Sequence, residues 1–239
     1  MIGRSLRIVL LAALLLLGGC RRQSEDRIVD PARHDAFFLW AGVRAPAELV
    51  RARTVYLLAG EVRAGDGSVF VPLRPQVPRV RRAEVWLTVR VERIDWSEGL
   101  YRRVLGELAR WERAGNRLAG LQIDFDASTR GLAGYAEFLA GLRERLPPRF
   151  RLSVTGLLDW SAHGDAAALA RLAGTVDEAV IQTYQGRRTI PGYERYMASL
   201  AKLPMPYRVA LVEGGKWREP DSLSGDPRFK GYVVFLLPR

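Results

Sequence analysis

Apolar residues recur in eight short runs separated by polar stretches, at 37–40, 55–59, 85–91, 118–126, 151–158, 179–184, 208–213 and 232–237. Each run has strand length. Two longer segments follow a different period. Residues 97–113 carry Tyr101, Val104, Leu105, Leu108 and Trp111 at helical spacing, with Ser97 as candidate N-cap. Residues 130–146 carry Leu132, Tyr135, Phe138, Leu139, Leu142 and Leu146, with Ser128 or Thr129 as cap and Pro147-Pro148 as stop. Stripes of this kind are sheet-facing packing surfaces, and the prolines cannot continue a helix. Shorter helices are expected at 45–53, 165–174 and 192–202. Strand–helix alternation predicts a mostly parallel sheet with right-handed crossovers. Eight such strands predict an α/β chain of (β/α)8, TIM-barrel-like architecture. Segment 63–83 is rich in Gly, Pro and Arg and lacks a helical stripe, so the barrel is expected to be irregular, with one helix replaced by a loop.

The first twenty residues break the pattern. Arg4 and Arg7 precede an apolar run at 8–17, which ends in Leu17-Gly18-Gly19-Cys20. A basic start, a short apolar stretch and a small-residue end form an export signal, and the run is too short to span a bilayer. The last four residues resemble the lipobox of bacterial lipoproteins. The resemblance implies that residues 1–19 are removed and that Cys20 becomes an acylated N-terminus and membrane anchor. An ordinary secretory signal with an incidental cysteine is the other reading. Residues 20–35 are polar and read as the lipidated cysteine and its tether, and 36–239 as one barrel domain. Arg21 follows the cysteine, which points to the outer membrane, facing the periplasm.

Composition narrows the chemistry. With 48% hydrophobic residues the 239-residue chain can build a core. Cys20 is the only cysteine and His34 and His163 the only histidines, so neither a disulfide nor a metal site is expected. No nucleotide fingerprint is present, so no cofactor is expected. A net charge of +11 invites a nucleic-acid reading. The arginines, however, are spread along the whole chain, and an exported protein meets anionic lipid or acidic glycan instead. No nucleic-acid partner is expected.

The richest chemistry lies in Gly120-Leu121-Gln122-Ile123-Asp124-Phe125-Asp126. Alternation along a strand puts Leu121, Ile123 and Phe125 on one face and Gln122, Asp124 and Asp126 on the other, toward the barrel interior. Carboxylates there are costly to bury without partners, and the C-terminal ends of barrel strands are where sites are built. Capping of the next helix is an alternative role for Asp126.

This segment resembles the fourth-strand signature of family 18 glycoside hydrolases, the chitinase-like barrels, with Asp124 and Asp126 at its last two acidic positions. Aspartate stands at 126 where that family has glutamate, and Gln122 where it has aspartate. Gln182-Thr183-Tyr184 resembles that family's sixth strand, whose tyrosine helps to hold substrate. Over about residues 36–238 the chain is similar to the uncharacterised domain of unknown function 3142 family, through Asp124/Asp126, Leu152-Ser153-Val154-Thr155 and Gln182-Thr183-Tyr184. These resemblances imply a barrel with a carbohydrate cleft. Asp126 would be the general acid, Asp124 its electrostatic tuner and Tyr184 a positioner.

Glu213 ends the seventh strand and is a second catalytic candidate, since paired carboxylates carry glycoside hydrolysis. Its alternative is a surface ion pair. Trp40, Trp160, Tyr184 and Trp217 all follow strand ends, where rings can stack on sugars, while Gln122 and Gln182 supply polar contacts. Core packing is the alternative for each ring. Two readings follow: a glycoside hydrolase-like enzyme acting on an envelope or extracellular glycan, or a non-catalytic glycan-binding or scaffolding lipoprotein.

Overall fold

The computed structural model describes residues 26–43, 45–65 and 69–238. Cys20 and the leader lie outside the described residues. In chain order the elements are β1 (Arg27–Ile28), β2 (Ala36–Leu39), β3 (Thr54–Val62), β4 (Phe70–Pro72), β5 (Glu84–Val91), α1 (Glu98–Arg113), β6 (Leu118–Asp124), α2 (Leu132–Arg145), β7 (Arg151–Leu157), α3 (Trp160–His163), α4 (Ala166–Ala173), β8 (Glu178–Gln182), β9 (Tyr184–Gln185), β10 (Arg188–Thr189), α5 (Glu194–Leu200), β11 (Tyr207–Val212), β12 (Lys216–Trp217), α6 (Asp221–Ser224) and β13 (Phe229–Phe235).

Eight strands, in the order β2-β13-β11-β8-β7-β6-β5-β3, pair in parallel, and pairing of β2 with β3 closes the ring. The fold is a (β/α)8 TIM-barrel-like barrel. Every expected strand is present, with shifted ends: β6 stops at Asp124, two residues early, and β13 begins at Phe229. Gly120 lies where β6 meets β7, and a Cβ there would sit 1.8 Å from the Arg151 carbonyl oxygen. Only glycine lets these two strands approach so closely.

The helical layer is uneven. In α1 the Ser97 hydroxyl accepts from the Leu100 amide, and Leu100, Tyr101, Val104, Leu108 and Trp111 are buried. The second long helix enters through a 3-10 turn at Thr129–Gly131, so neither Ser128 nor Thr129 caps it by a side chain. The helix expected at 45–53 is a single 3-10 turn, Ala47–Arg51. Residues 63–83 hold only β4, antiparallel to β3, with no helix among the described residues. The outer face of β2, β3 and β5 is therefore thinly covered.

Alternation sorts the strand side chains into two layers. Leu57, Leu87, Leu121, Ile123, Val154 and Ile181 join the core between sheet and helices. Phe38, Tyr56, Trp86, Val180, Ala210 and Val233 fill the barrel. Polar groups share that interior. At its lower, N-terminal end Tyr56 donates to Glu178, and Arg208 Nε bonds Glu178 Oε2 at 3.3 Å. Ser153 donates to Glu178 Oε1 at 3.2 Å.

Residues 26–34, expected within the tether, lie against the barrel. β1 pairs antiparallel with β12, and the Val29 amide donates to the Gly215 carbonyl at 2.8 Å. Arg218 forms an ion pair with Asp26 at 3.0 Å. Among the described residues no helix is long and apolar enough to cross a membrane.

Candidate functional site

Strand direction brings the ends of β5, β6, β8 and β13 to one mouth. Two adjoining cavities of about 560 Å³ each open there and share Arg90, Asp126, Gln182, Tyr184 and Gly186. Clefts of this size suit a small ligand or a few sugar rings.

Asp124 is the last residue of β6 and half-buried on the cleft floor. The Thr155 hydroxyl of β7 donates to its Oδ1 at 2.9 Å. Burial pushes its carboxyl up to about 6, with the nearby charge of Asp126 adding to the effect. The Thr155 bond and Arg90 oppose that shift without cancelling it. Desolvation disfavours the charged form, so this acid keeps its proton into the mildly acidic range. Asp126 lies two residues beyond the strand, exposed and lining both cavities.

Tyr184 is buried in the cleft wall, stacked on Phe235 at 5.2 Å between ring centres. The Gln182 side chain bonds its phenol, while burial drives the phenol well above its ordinary range. Trp40 is half-buried and packs edge-on against Phe235 at 5.2 Å, so one face of the cleft is aromatic.

Five of the expected site residues therefore share this cleft: Trp40, Asp124, Asp126, Gln182 and Tyr184. Four do not line it. Gln122 lies one layer deeper, fully buried. Its amide donates to Ser153 Oγ at 3.1 Å and accepts from Thr88 Oγ1 at 3.0 Å, which makes it a strut of the interior. Trp160 is fully buried beneath α2, where its Nε1 donates to the Ala127 carbonyl at 2.8 Å and its ring meets Tyr135 edge-on. Trp217 is turned to the barrel's outside, stacked on Tyr193 at 4.6 Å. The redirecting residue is Gly214, at φ +74°, a conformation that favours glycine. Glu213 is half-buried, and its Oε2 accepts from the Leu237 amide at 2.9 Å, fastening the C-terminal segment.

Arg90 was missed as a cleft residue. It follows Trp86 and Thr88 on the inward face of β5, so the alternation that exposed Asp124 also points to it. Its guanidinium lowers the Asp124 carboxyl, opposing the shift that burial imposes. Phe235 and Tyr196 complete the aromatic lining. Among the described residues no group of three His, Cys, Asp or Glu side chains could hold a metal ion.

The family model described as domain of unknown function (DUF3142) matches residues 75–194, half of the chain and a shorter stretch than 36–238. That stretch contains Asp124, Asp126, Thr155 and Tyr184. No curated protein matches the sequence. Among solved structures the chain is similar to the spore cortex-lytic enzyme SleL of Bacillus cereus, with a TM-score of 0.52 and 17% identity over 74% of this chain. It spans about half (49%) of that protein's length. The chitinase domain of the spore coat protein CotE from Clostridium difficile gives 0.51 and 14%, covering 88% of this chain and 73% of that one. The xylanase and alpha-amylase inhibitor protein XAIP-II from Scadoxus multiflorus gives 0.52 and 9%, covering 84% and 92%. The likeness is one of fold, a chitinase-like barrel.

Proposed function

The chain belongs to the DUF3142 family, and from that premise we propose that it is an exported, lipid-anchored barrel protein whose mouth binds an envelope or extracellular glycan and acts on it as a glycoside hydrolase-like enzyme. The observation that carries the reading is the carboxyl pair in the cleft. Asp126 is exposed at the mouth, and Asp124 lies beneath it with its carboxyl pushed up to about 6. Burial keeps the Asp124 carboxyl protonated into mildly acidic conditions, and the nearby charge of Asp126 adds to that. A glycosidic leaving oxygen requires a proton as its bond breaks. Asp126, open at the mouth, is the general acid that meets that oxygen, Asp124 sets the local charge beneath it, and Tyr184 with Gln182 holds a sugar against the Trp40–Phe235 wall.

A second reading is a glycan-binding barrel without turnover. It is favoured by Asp126 itself, which is one methylene shorter than glutamate and open to water. The fold accommodates both outcomes, since its structural neighbours include a cortex-lytic enzyme and an inhibitor protein.

One experiment separates the readings. Peptidoglycan fragments, chitin oligomers and acidic exopolysaccharides are screened for reducing ends and for changes in tryptophan fluorescence. For an enzyme, Asp126→Asn lowers turnover by about 100-fold or more while binding survives. For a binder, the wild type shows no turnover and Trp40→Ala loses affinity. Turnover indifferent to Asp126→Asn removes the acid assignment, and silence with every glycan defeats both readings. A Cys20→Ser control, prepared alongside, should leave the membrane fraction, and unchanged fractionation would sink the anchor.

A further inference from the structure

A cavity of about 640 Å³ lies on the outside of the barrel, away from the carboxylates. It occupies the place where covering helices are absent beside β2, β3 and β5. Its floor is aliphatic: Leu39, Val55, Leu57 and Ala83 are all buried core side chains. The 3-10 turn Ala47–Arg51 forms one wall and residues 74–83 the other.

The second wall has no regular secondary structure, yet it is pinned along its length. Arg74 donates to the Leu58, Leu39 and Trp40 carbonyls at 2.9, 3.1 and 3.1 Å. Arg110 reaches the Pro75 carbonyl at 2.7 Å. The buried Asn116 side chain accepts from the Val80 amide at 2.8 Å and donates to the Pro78 carbonyl at 3.0 Å. The groove is therefore pre-formed, which lowers the ordering cost of filling it.

Its rim is cationic. Arg79, Arg81 and Arg82 are exposed and line the cavity, and none of the three has an ion-pair partner among the described residues. Glu48, the acid of the flanking turn, does not line the cavity. Three guanidinium groups above an aliphatic slot match an apolar chain with an anionic head, because guanidinium pairs with phosphate in a bidentate fork. Every charged residue that lines it is an arginine and the rest of the lining is apolar, which suits a single anionic head on an apolar tail better than the mixed polar face of a partner helix.

We propose that this groove takes one acyl chain of an anionic bilayer phospholipid, with the headgroup phosphate held by Arg79, Arg81 and Arg82. The site is independent of the cleft and its carboxylates.

The test uses the full chain bearing Cys20→Ser, so that no anchor competes. Flotation is measured with vesicles of dioleoylphosphatidylglycerol and of dioleoylphosphatidylcholine. Binding should be at least about tenfold tighter to phosphatidylglycerol. Ala47→Trp, which fills the slot from an exposed position, should weaken it at least tenfold, as should the combined Arg79→Gln, Arg81→Gln and Arg82→Gln change. Val50→Asp, at an exposed lining position, should do the same and stands in if Ala47→Trp does not fold. Phosphatidylglycerol binding that is lost with the arginines but unchanged by Ala47→Trp and Val50→Asp reduces the effect to surface charge and overturns the proposal. Uptake of free oleate without vesicle binding overturns the bilayer source. Saturable binding of an acidic amphipathic helical peptide, with no phosphatidylglycerol binding, assigns the groove to a protein partner. Absence of all binding also overturns it.

Discussion

The two ends of the barrel interior both bury acids, but they treat them differently. At the lower end Glu178 is met by Tyr56, Ser153 and Arg208, and the network continues upward through Gln122 to Thr88. Both carboxylate oxygens of Glu178 accept, Oε1 from Tyr56 and Ser153 and Oε2 from Arg208. At the upper end Asp124 has one side-chain donor, Thr155, and a like charge nearby in Asp126. The lower acid is part of the architecture. The upper one is held at a cost, with its proton retained to about pH 6. A buried carboxylate is thus informative only with its partners: satisfied, it specifies the fold, and under-satisfied, it is a candidate for a site.

The comparison can be broken most directly at its lower end. Glu178→Ala removes the anion that Tyr56, Ser153 and Arg208 converge on. Breaking a buried ion pair costs about 3–5 kcal/mol. Arg208 keeps the Lys230 carbonyl at 2.6 Å and some solvent contact, so about 3 kcal/mol is expected, read by denaturant unfolding. A loss below 1 kcal/mol would mean that the lower network is not what holds the barrel.

The upper end responds in the opposite sense. Asp124 binds its proton more tightly folded than unfolded, its pKa being raised from 3.8 to about 6. Between those values the native state holds more protons than the unfolded state, so stability falls as pH rises through about 4 to 6 and is level above. The total is on the order of 2–3 kcal/mol. Asp124→Asn keeps an acceptor for Thr155 and removes the titration. It should match the wild type near pH 4 and exceed it at pH 7. A variant less stable than wild type at pH 7 would make Asp124 structural, as Glu178 is.

The smallest effect sits between the two ends. Thr88→Val keeps shape and deprives Gln122 Oε1 of its donor, leaving a buried acceptor unpaired at about 1–2 kcal/mol. Chemical denaturation at pH 7 measures it, and a neutral result would show that the network tolerates gaps at its upper edge.

Much of this contrast could be read in the sequence, because period-2 alternation is a local property. It put Gln122 and Asp124 on the inward face together, and the helical stripes at 97–113 and 130–146 are likewise local. Depth is not local. Gln122 and Asp124 are two residues apart, yet one is enclosed by Thr88 and Ser153 and the other reaches the mouth, which depends on strand stagger around the closed ring. The rim tryptophans fail for a related reason. Trp160 and Trp217 both follow strand ends, but the chain turns Trp160 under Tyr135 and, after Gly214, sends Trp217 outward. The missing helix at 63–83 was visible as a lack of periodicity. The matching loss at 45–53 was hidden by a short apolar run that forms only one 3-10 turn.

The pairing of β1 with β12 has a mechanical consequence. Gly214 and Gly215 lie just past the C-terminal end of β11, after Glu213, so the β1 segment meets the barrel on its mouth side. Asp26 shares a small cavity with Ile190, which also lines the cleft. Only residues 21–25 separate Cys20 from this docked segment, and the six steps from Cys20 to Asp26 reach at most about 20 Å. With an acyl group on Cys20, the leash would be short and made fast on the mouth side of β11. The anchor would then hold the whole barrel within a thin layer above the membrane rather than free in the bulk of the compartment.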